Sequence, residues 1–113
     1  MSTNSAFTYE VLTRNDSAFG KINHIQFHGR LTAKEAPQVK ELVKPLLEGG
    51  GRTVLDLADL EFMDSSGLGA LVALKVTALN RGLCRLELEN LQPRIKDLFT
   101  LTNLQSMLDK QPS

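Results

Sequence analysis

Apolar positions along the chain switch between a spacing of two and a spacing of three to four, and each switch marks a new element. Phe7, Tyr9 and Val11 alternate with polar residues, and Leu12 breaks the pattern at its last step, which predicts a strand over 7–12. A polar cluster at 14–17 reads as a turn, and 21–28 alternates again. Ile22 and Ile25 fall out of step by one there, which points to a bulge. The two strands are close enough in sequence to form a hairpin. Gly29-Arg30-Leu31 then leads into Thr32-Ala33-Lys34-Glu35. This is a capping box, in which Thr32 caps one backbone N–H and Glu35 reaches back to another. The helix it predicts, about 33–47, carries Ala36, Val39, Leu42, Val43, Leu46 and Leu47 at helical spacing. Pro37 falls in its first turn, where the missing N–H costs little.

Gly49-Gly50-Gly51 ends that helix, because glycine takes the left-handed conformation without penalty. Residues 53–57 predict a buried central strand, and 60–63 continue to a turn at Asp64. From Ser65 to about Arg81, the residues Leu68, Leu71, Val72, Val76 and Leu79 keep helical spacing and are assigned to the core. Ala70, Ala73, Leu74 and Thr77 lie off that stripe, so this helix is buried on two sides or meets a partner. Asn80-Arg81-Gly82 stops it. Residues 84–88 alternate as a fourth strand, 91–98 suggest a short third helix, and 104–108 a last strand before a polar tail. Helical connections between the later strands imply parallel pairing through right-handed crossovers. The expected fold is α/β: a mixed sheet with an antiparallel edge hairpin, then parallel βαβ units, and helices mainly on one face. One domain over 1–113 is expected, with a core at about 6–109.

Composition narrows what such a domain can do. The chain has 113 residues, and its 13 Lys+Arg balance 13 Asp+Glu, which argues against the basic face of a nucleic-acid binder. No tryptophan and one tyrosine leave little for base stacking. The one cysteine, Cys84, excludes an intramolecular disulfide and reads as a small buried hydrophobe in a reducing compartment. Residues 1–6 lack the apolar run of a signal peptide, and no stretch approaches the roughly 18 apolar residues of a membrane helix. A cytoplasmic protein without a membrane partner is expected.

Candidate chemistry concentrates in Phe62-Met63-Asp64-Ser65-Ser66-Gly67-Leu68-Gly69-Ala70-Leu71, where a central strand gives way to a helix. Asp64 is a natural N-cap. Ser65 and Ser66 fall in the first turn, where open N–H groups and the helix dipole favour an added anion. Two glycines within one helix cost roughly 0.8–1 kcal/mol each against alanine, a cost that asks for a reason. The residues do not form a P-loop, since no lysine follows either glycine until Lys75, nor a nucleophile elbow, since Met63 and Asp64 precede the serines. Both histidines lie upstream of the serines, so a Ser-then-His triad is impossible. His24 and His28 are about 13 Å apart on one strand face, at roughly 3.3 Å per residue, too far to share a metal. Lys34, Glu35, Lys40, Glu41 and Lys44 read as a solvated helix face.

Val54-Leu55-Asp56-Leu57 followed by Phe62-Met63-Asp64-Ser65-Ser66-Gly67-Leu68-Gly69 resembles the signature of the anti-sigma factor antagonists, the prototypes of the STAS domain. Gly29-Arg30-Leu31 looks like the family's G-x-L turn, and Pro93-Arg94-Ile95-Lys96-Asp97-Leu98-Phe99 like its third helix. The resemblance implies a protein switch and no enzyme. The unmodified antagonist binds an anti-sigma factor that is also a serine kinase. Phosphorylation of the serine after the aspartate, here Ser65, ends binding, and a serine phosphatase resets it. Asp64, Ser66, Gly67, Leu68, Gly69 and Thr32 would then contact the partner, with no cofactor or metal in this chain. Many antagonists carry an acid where Thr32 stands, and family members often end in a further helix. Only five residues follow Leu108, so an apolar strip is expected to stay exposed on the sheet or second helix. Two alternatives stand beside this reading: a non-switching STAS scaffold in a stressosome-like or lipid-transport complex, and a small-molecule or nucleotide binder using the helix N-terminus.

Overall fold

The computed structural model describes residues 6–18, 20–82, 84–104 and 106. Strand β1 (Thr8–Asp16) and β2 (Gly20–Leu31) form the antiparallel hairpin, closed by the Asp16 carboxylate accepting from the Ala18 N–H at 2.7 Å. Helix α1 (Ala36–Glu48) leads to β3 (Gly51–Met63), and α2 (Ser65–Arg81) to β4 (Cys84–Glu89). Helix α3 (Pro93–Leu101) follows. The sheet order is β1-β2-β3-β4, with β2, β3 and β4 parallel. The expected mixed sheet is therefore present. The strand expected at 104–108 falls largely outside the described residues.

One apolar cluster joins alternate residues of the sheet to all three helices. Ile25 and Phe27 of β2, Leu55 and Leu57 of β3, and Leu86 and Leu88 of β4 meet Val39, Val43 and Leu47 of α1. Leu68, Leu71, Leu74 and Ala78 of α2 and Ile95 and Phe99 of α3 complete it. The opposite face is polar. Arg52 pairs with Glu87 at 2.6 Å there, and a hollow on this face is lined by Arg14, Ile22, His24, Arg52, Val54 and Glu89.

Five local expectations need correction. Of the cluster at 14–17 read as a turn, Arg14, Asn15 and Asp16 belong to β1 and pair with Ile22, Lys21 and Gly20. The bulge is not in β2, whose pairing with β1 runs unbroken from Thr8↔His28 to Asp16↔Gly20. Ile22 simply faces the polar side of the sheet, opposite to Ile25. The irregularities lie on β3, which spends extra residues between Asp56 and Asp59 and between Leu60 and Phe62. Gly29-Arg30-Leu31 is not a turn but the end of β2, with Gly29 at φ 90° where the pairing shifts. Helix α1 starts at Ala36, three residues late, since Pro37 has no N–H to bond the Ala33 carbonyl. At its other end Gly49 stays right-handed, and the left-handed residues are Gly50 and Gly51.

The facing of α2 is the largest correction. Val76 and Leu79, expected in the core, are exposed, whereas Ala70 and Leu74 are buried. The true inward stripe is Gly67, Leu71, Leu74 and Ala78, about one residue (roughly 100°) round from the expected one. Lys75 is buried as well, and its Nζ donates to the Leu86 carbonyl. Burial pushes that ammonium's pKa down.

On the polar face each histidine takes its own carboxylate. His24 Nε2 lies 3.7 Å from Asp56, and His28 Nδ1 lies 2.5 Å from Asp59. The buried Nε2 of His28 has Glu10 3.4 Å away, near enough for charge attraction but not aligned as a hydrogen bond. The Asp59 contact raises His28 above its ordinary value of 6.5, against a smaller opposing effect of burial. A raised folded-state pKa stabilises the fold fully below the unfolded value and progressively less as pH rises through the folded one. As pH rises above 6.5, the wild type is therefore expected to lose melting temperature that His28→Gln does not lose. Parallel pH profiles for the two proteins would refute this.

Candidate functional site

The polypeptide places the D-S-S-G-L-G segment at the junction of β3, α2 and the chain leaving β2. Asp64 has extended backbone, as an N-cap requires, and its Oδ1 accepts from the Gly67 N–H at 2.9 Å. Its Oδ2 accepts from the Ala33 N–H at 3.2 Å, and its own N–H donates to the Leu31 carbonyl at 3.2 Å. One aspartate thus caps α2 and ties it to both sides of Thr32. The capping expectation holds; the bond to Ala33 has no signal in the sequence, because it joins segments 31 residues apart.

The two glycines have different physical reasons. A Cβ on Gly67 would lie 2.5 Å from the Leu31 carbonyl oxygen and 2.7 Å from Met63 Cγ, so nothing larger fits. Gly67 lets α2 settle onto the end of β2. A Cβ on Gly69 would meet nothing within 4 Å, so the fold has no use for that glycine. Its effect is to keep the exposed side of the first two turns flat. Gly67→Ala is expected to lower the melting temperature, through overpacking worth about 1–3 kcal/mol. Gly69→Ala should raise stability by up to about 1 kcal/mol, since alanine is the better helix former. Chemical denaturation of both variants checks the pair; equal losses would contradict it.

Ser65 and Ser66 are exposed in the first turn of α2. With the Gly67 N–H taken by Asp64 and the Leu68 N–H by the Asp64 carbonyl, the serine amides are the turn's open donors among the described residues. Gly67 and Leu68 point inward and can influence a partner only through the shape of the turn. Thr32 is half-buried beside them. Both its N–H and its hydroxyl donate to Glu35 Oε1, at 2.9 and 2.7 Å. The reach of Glu35 back to Thr32 is as the capping box predicts, and the threonine hydroxyl, besides donating to that carboxylate, accepts from the Lys34 N–H at 3.4 Å. These hydrogen bonds hold the Glu35 carboxyl below its ordinary range. Spacing alone marks Glu35 as a capping residue and as part of a solvated helix face. Next to this turn, the Arg30 guanidinium stacks 4.3 Å over the Phe62 ring.

Among the described residues, no group of three or more His, Cys, Asp and Glu side chains could hold a metal ion. Among the described residues, no helix is long and apolar enough to cross a membrane. Cys84 opens β4, and its side chain lies outside what the structure describes.

Comparison with known proteins adds to this geometry. A family model described as "Mlab, STAS domain" matches residues 18–109. The anti-sigma-B factor antagonist of Bacillus subtilis (strain 168) is 36% identical over 89 residues, covering 77% of this chain and 81% of that protein. The anti-sigma factor antagonist SpoIIAA in its unphosphorylated form has the same fold, with a TM-score of 0.68 and 23% identity over 96% of this chain and 90% of that one. The Bacillus cell fate determinant SpoIIAA in the phosphorylated form gives a TM-score of 0.64 at 23% identity, over 96% of this chain and 93% of that one. With its capped D-S-S-G-L-G turn, its mixed sheet and a family match over most of its length, the chain belongs to the STAS domain family.

Proposed function

We propose that this protein is an anti-sigma factor antagonist that works by partner switching. Its unmodified form binds an anti-sigma factor that is also a serine kinase, and phosphorylation of Ser65 ends that binding. A serine phosphatase returns it to the binding form. The observation that carries this reading is the placement of Ser65, an exposed hydroxyl directly after an aspartate whose polar groups are all engaged in holding the turn. A kinase can reach this serine without disturbing the fold, and the turn that presents it is held by the hydrogen bonds of Asp64. The flat, open side of α2 at Gly69 gives a partner room to approach on the same surface. The named relative in Bacillus subtilis and the phosphorylated form known for SpoIIAA support the reading.

Thr32 stands where many antagonists carry an acid, yet an ionised carboxylate is present beside it at Glu35. The reading assigns this chain no catalysis: the nucleotide and its metal belong to the kinase. Incubation with the cognate kinase and ATP, followed by mass spectrometry of the peptide spanning 62–75, tests the site. Phosphate on Ser65 supports the switch; phosphate on Ser66 alone, or on neither serine, overturns it.

A further inference from the structure

The two edges of the sheet are treated differently. At the β4 edge, Lys75 reaches over from α2 and donates to the backbone carbonyl of Leu86. At the other edge, β1 carries few of the devices that usually block strand addition. It is 9 residues long, contains no proline, and follows β2 without a bulge. It also exposes apolar side chains on both faces, with Leu12 63%, Val11 42% and Tyr9 38% accessible. A long, straight strand of this kind is a template for another strand.

Its sequence says which strand. Thr8-Tyr9-Glu10-Val11-Leu12-Thr13-Arg14-Asn15-Asp16 is complementary to itself when read antiparallel about Leu12. We propose that β1 pairs with β1 of a second copy across a two-fold axis at Leu12, so that two sheets become one. Glu10, Leu12 and Arg14 share the polar face, since their β2 partners Gln26, His24 and Ile22 alternate along that strand. In this register Glu10 stands opposite Arg14 of the second copy, Arg14 opposite Glu10, and the two Leu12 side chains meet between the ion pairs. On the other face Val11 meets Thr13. The Glu10 carboxylate is 73% exposed, so it is open to a neighbour even with His28 Nε2 3.4 Å away on its own chain. Opposite charges placed directly across strands stabilise pairing, and like charges oppose it.

The alternatives are worse. Centring the pair on Thr13 sets Glu10 against Asp16 and Leu12 against Arg14. Centring it on Val11 sets Glu10 against Leu12 and leaves Arg14 without a carboxylate opposite. Parallel pairing sets Glu10 against Glu10 and does not close into a two-fold dimer. The charges therefore act as a register device, and an isologous contact ends at two copies. An interface built on one strand edge is small, so the dimer belongs to the weak, concentration-dependent class.

Sedimentation equilibrium over rising concentration tests this directly. The wild type should approach twice the monomer mass, Glu10→Arg should stay monomeric, and the double variant Glu10→Arg with Arg14→Glu should recover the dimer. Thermal melts establish that each variant is folded. A second measurement uses the dyad: with Cys84 replaced by Ser, Leu12→Cys should form an intermolecular disulfide on mild oxidation, since opposed Cα atoms lie about 4.5–5.5 Å apart. Glu10→Cys in the same background should cross-link far less. A wild type that stays monomeric to about 1 mM overturns the proposal. So does a dimer indifferent to Glu10→Arg, which would place the contact elsewhere, or a double variant that is folded but monomeric.

Discussion

Leu71→Asp should leave no folded protein at room temperature, while Val76→Asp on the same helix should melt close to the wild type. Leu71 is fully buried in the inward stripe of α2, among the apolar side chains of the sheet. A carboxylate there loses its hydration and gains no partner, and it also removes one large apolar side chain from the core. An unpaired buried charge costs several kcal/mol, and a core Leu truncation alone costs about 2–5 kcal/mol. The sum is comparable to the whole stability of a domain, about 5–15 kcal/mol. Val76 is 39% exposed, so a charge there stays hydrated and the change should fall within about 0.5 kcal/mol. Val72→Asp should fall between the two, because Val72 is only partly buried. Lys44→Asp, on the solvated face of α1, should do little. Far-UV circular dichroism and thermal melts rank the four. A Val76→Asp protein that unfolds while Leu71→Asp survives would reverse the facing of α2.

Phosphorylation of Ser65 should weaken binding to the anti-sigma kinase by at least a hundredfold and leave the melting temperature nearly unchanged. The fold tolerates the phosphate because the open amides of the first turn and the positive end of the α2 dipole favour an anion there. The partner contact does not. A charge of about −1.5 to −2 enters a close-packed surface next to Asp64, and it must lose water to do so. About 2.7 kcal/mol from repulsion and desolvation is enough for a hundredfold loss. Ser65→Ala should hold the kinase persistently and resist release by ATP. Ser65→Asp should fold and bind poorly, although one carboxylate carries less charge than a phosphate. Calorimetric titration of the kinase with each form reads the ratio. Undiminished binding by the Ser65-phosphorylated protein would sink the mechanism, and binding by neither form would favour a scaffold role for the same fold.

Much of this protein is determined locally. The alternation in β2, the helical spacing in α1, the Asp64 cap and the Gly82 stop are each set within a few residues, and all four are present, although α1 starts three residues late. The resemblance carried by D-S-S-G-L-G is legible for the same reason, since the motif is one continuous turn. What tertiary structure alone decided concerns contacts between distant segments. Helix α2 is apolar round much of its circumference, so spacing allows two facings a residue apart. The choice falls to Gly67, which must lie against Leu31 and Met63, and that contact rotates Leu74 inward and Val76 outward. The second ligand of Asp64 and the Lys75 bond to Leu86 likewise join residues that sequence spacing cannot bring together. Bulges behave in the same way: β3 yields where it must match both neighbours, and an isolated strand gives no sign of the register its neighbours impose.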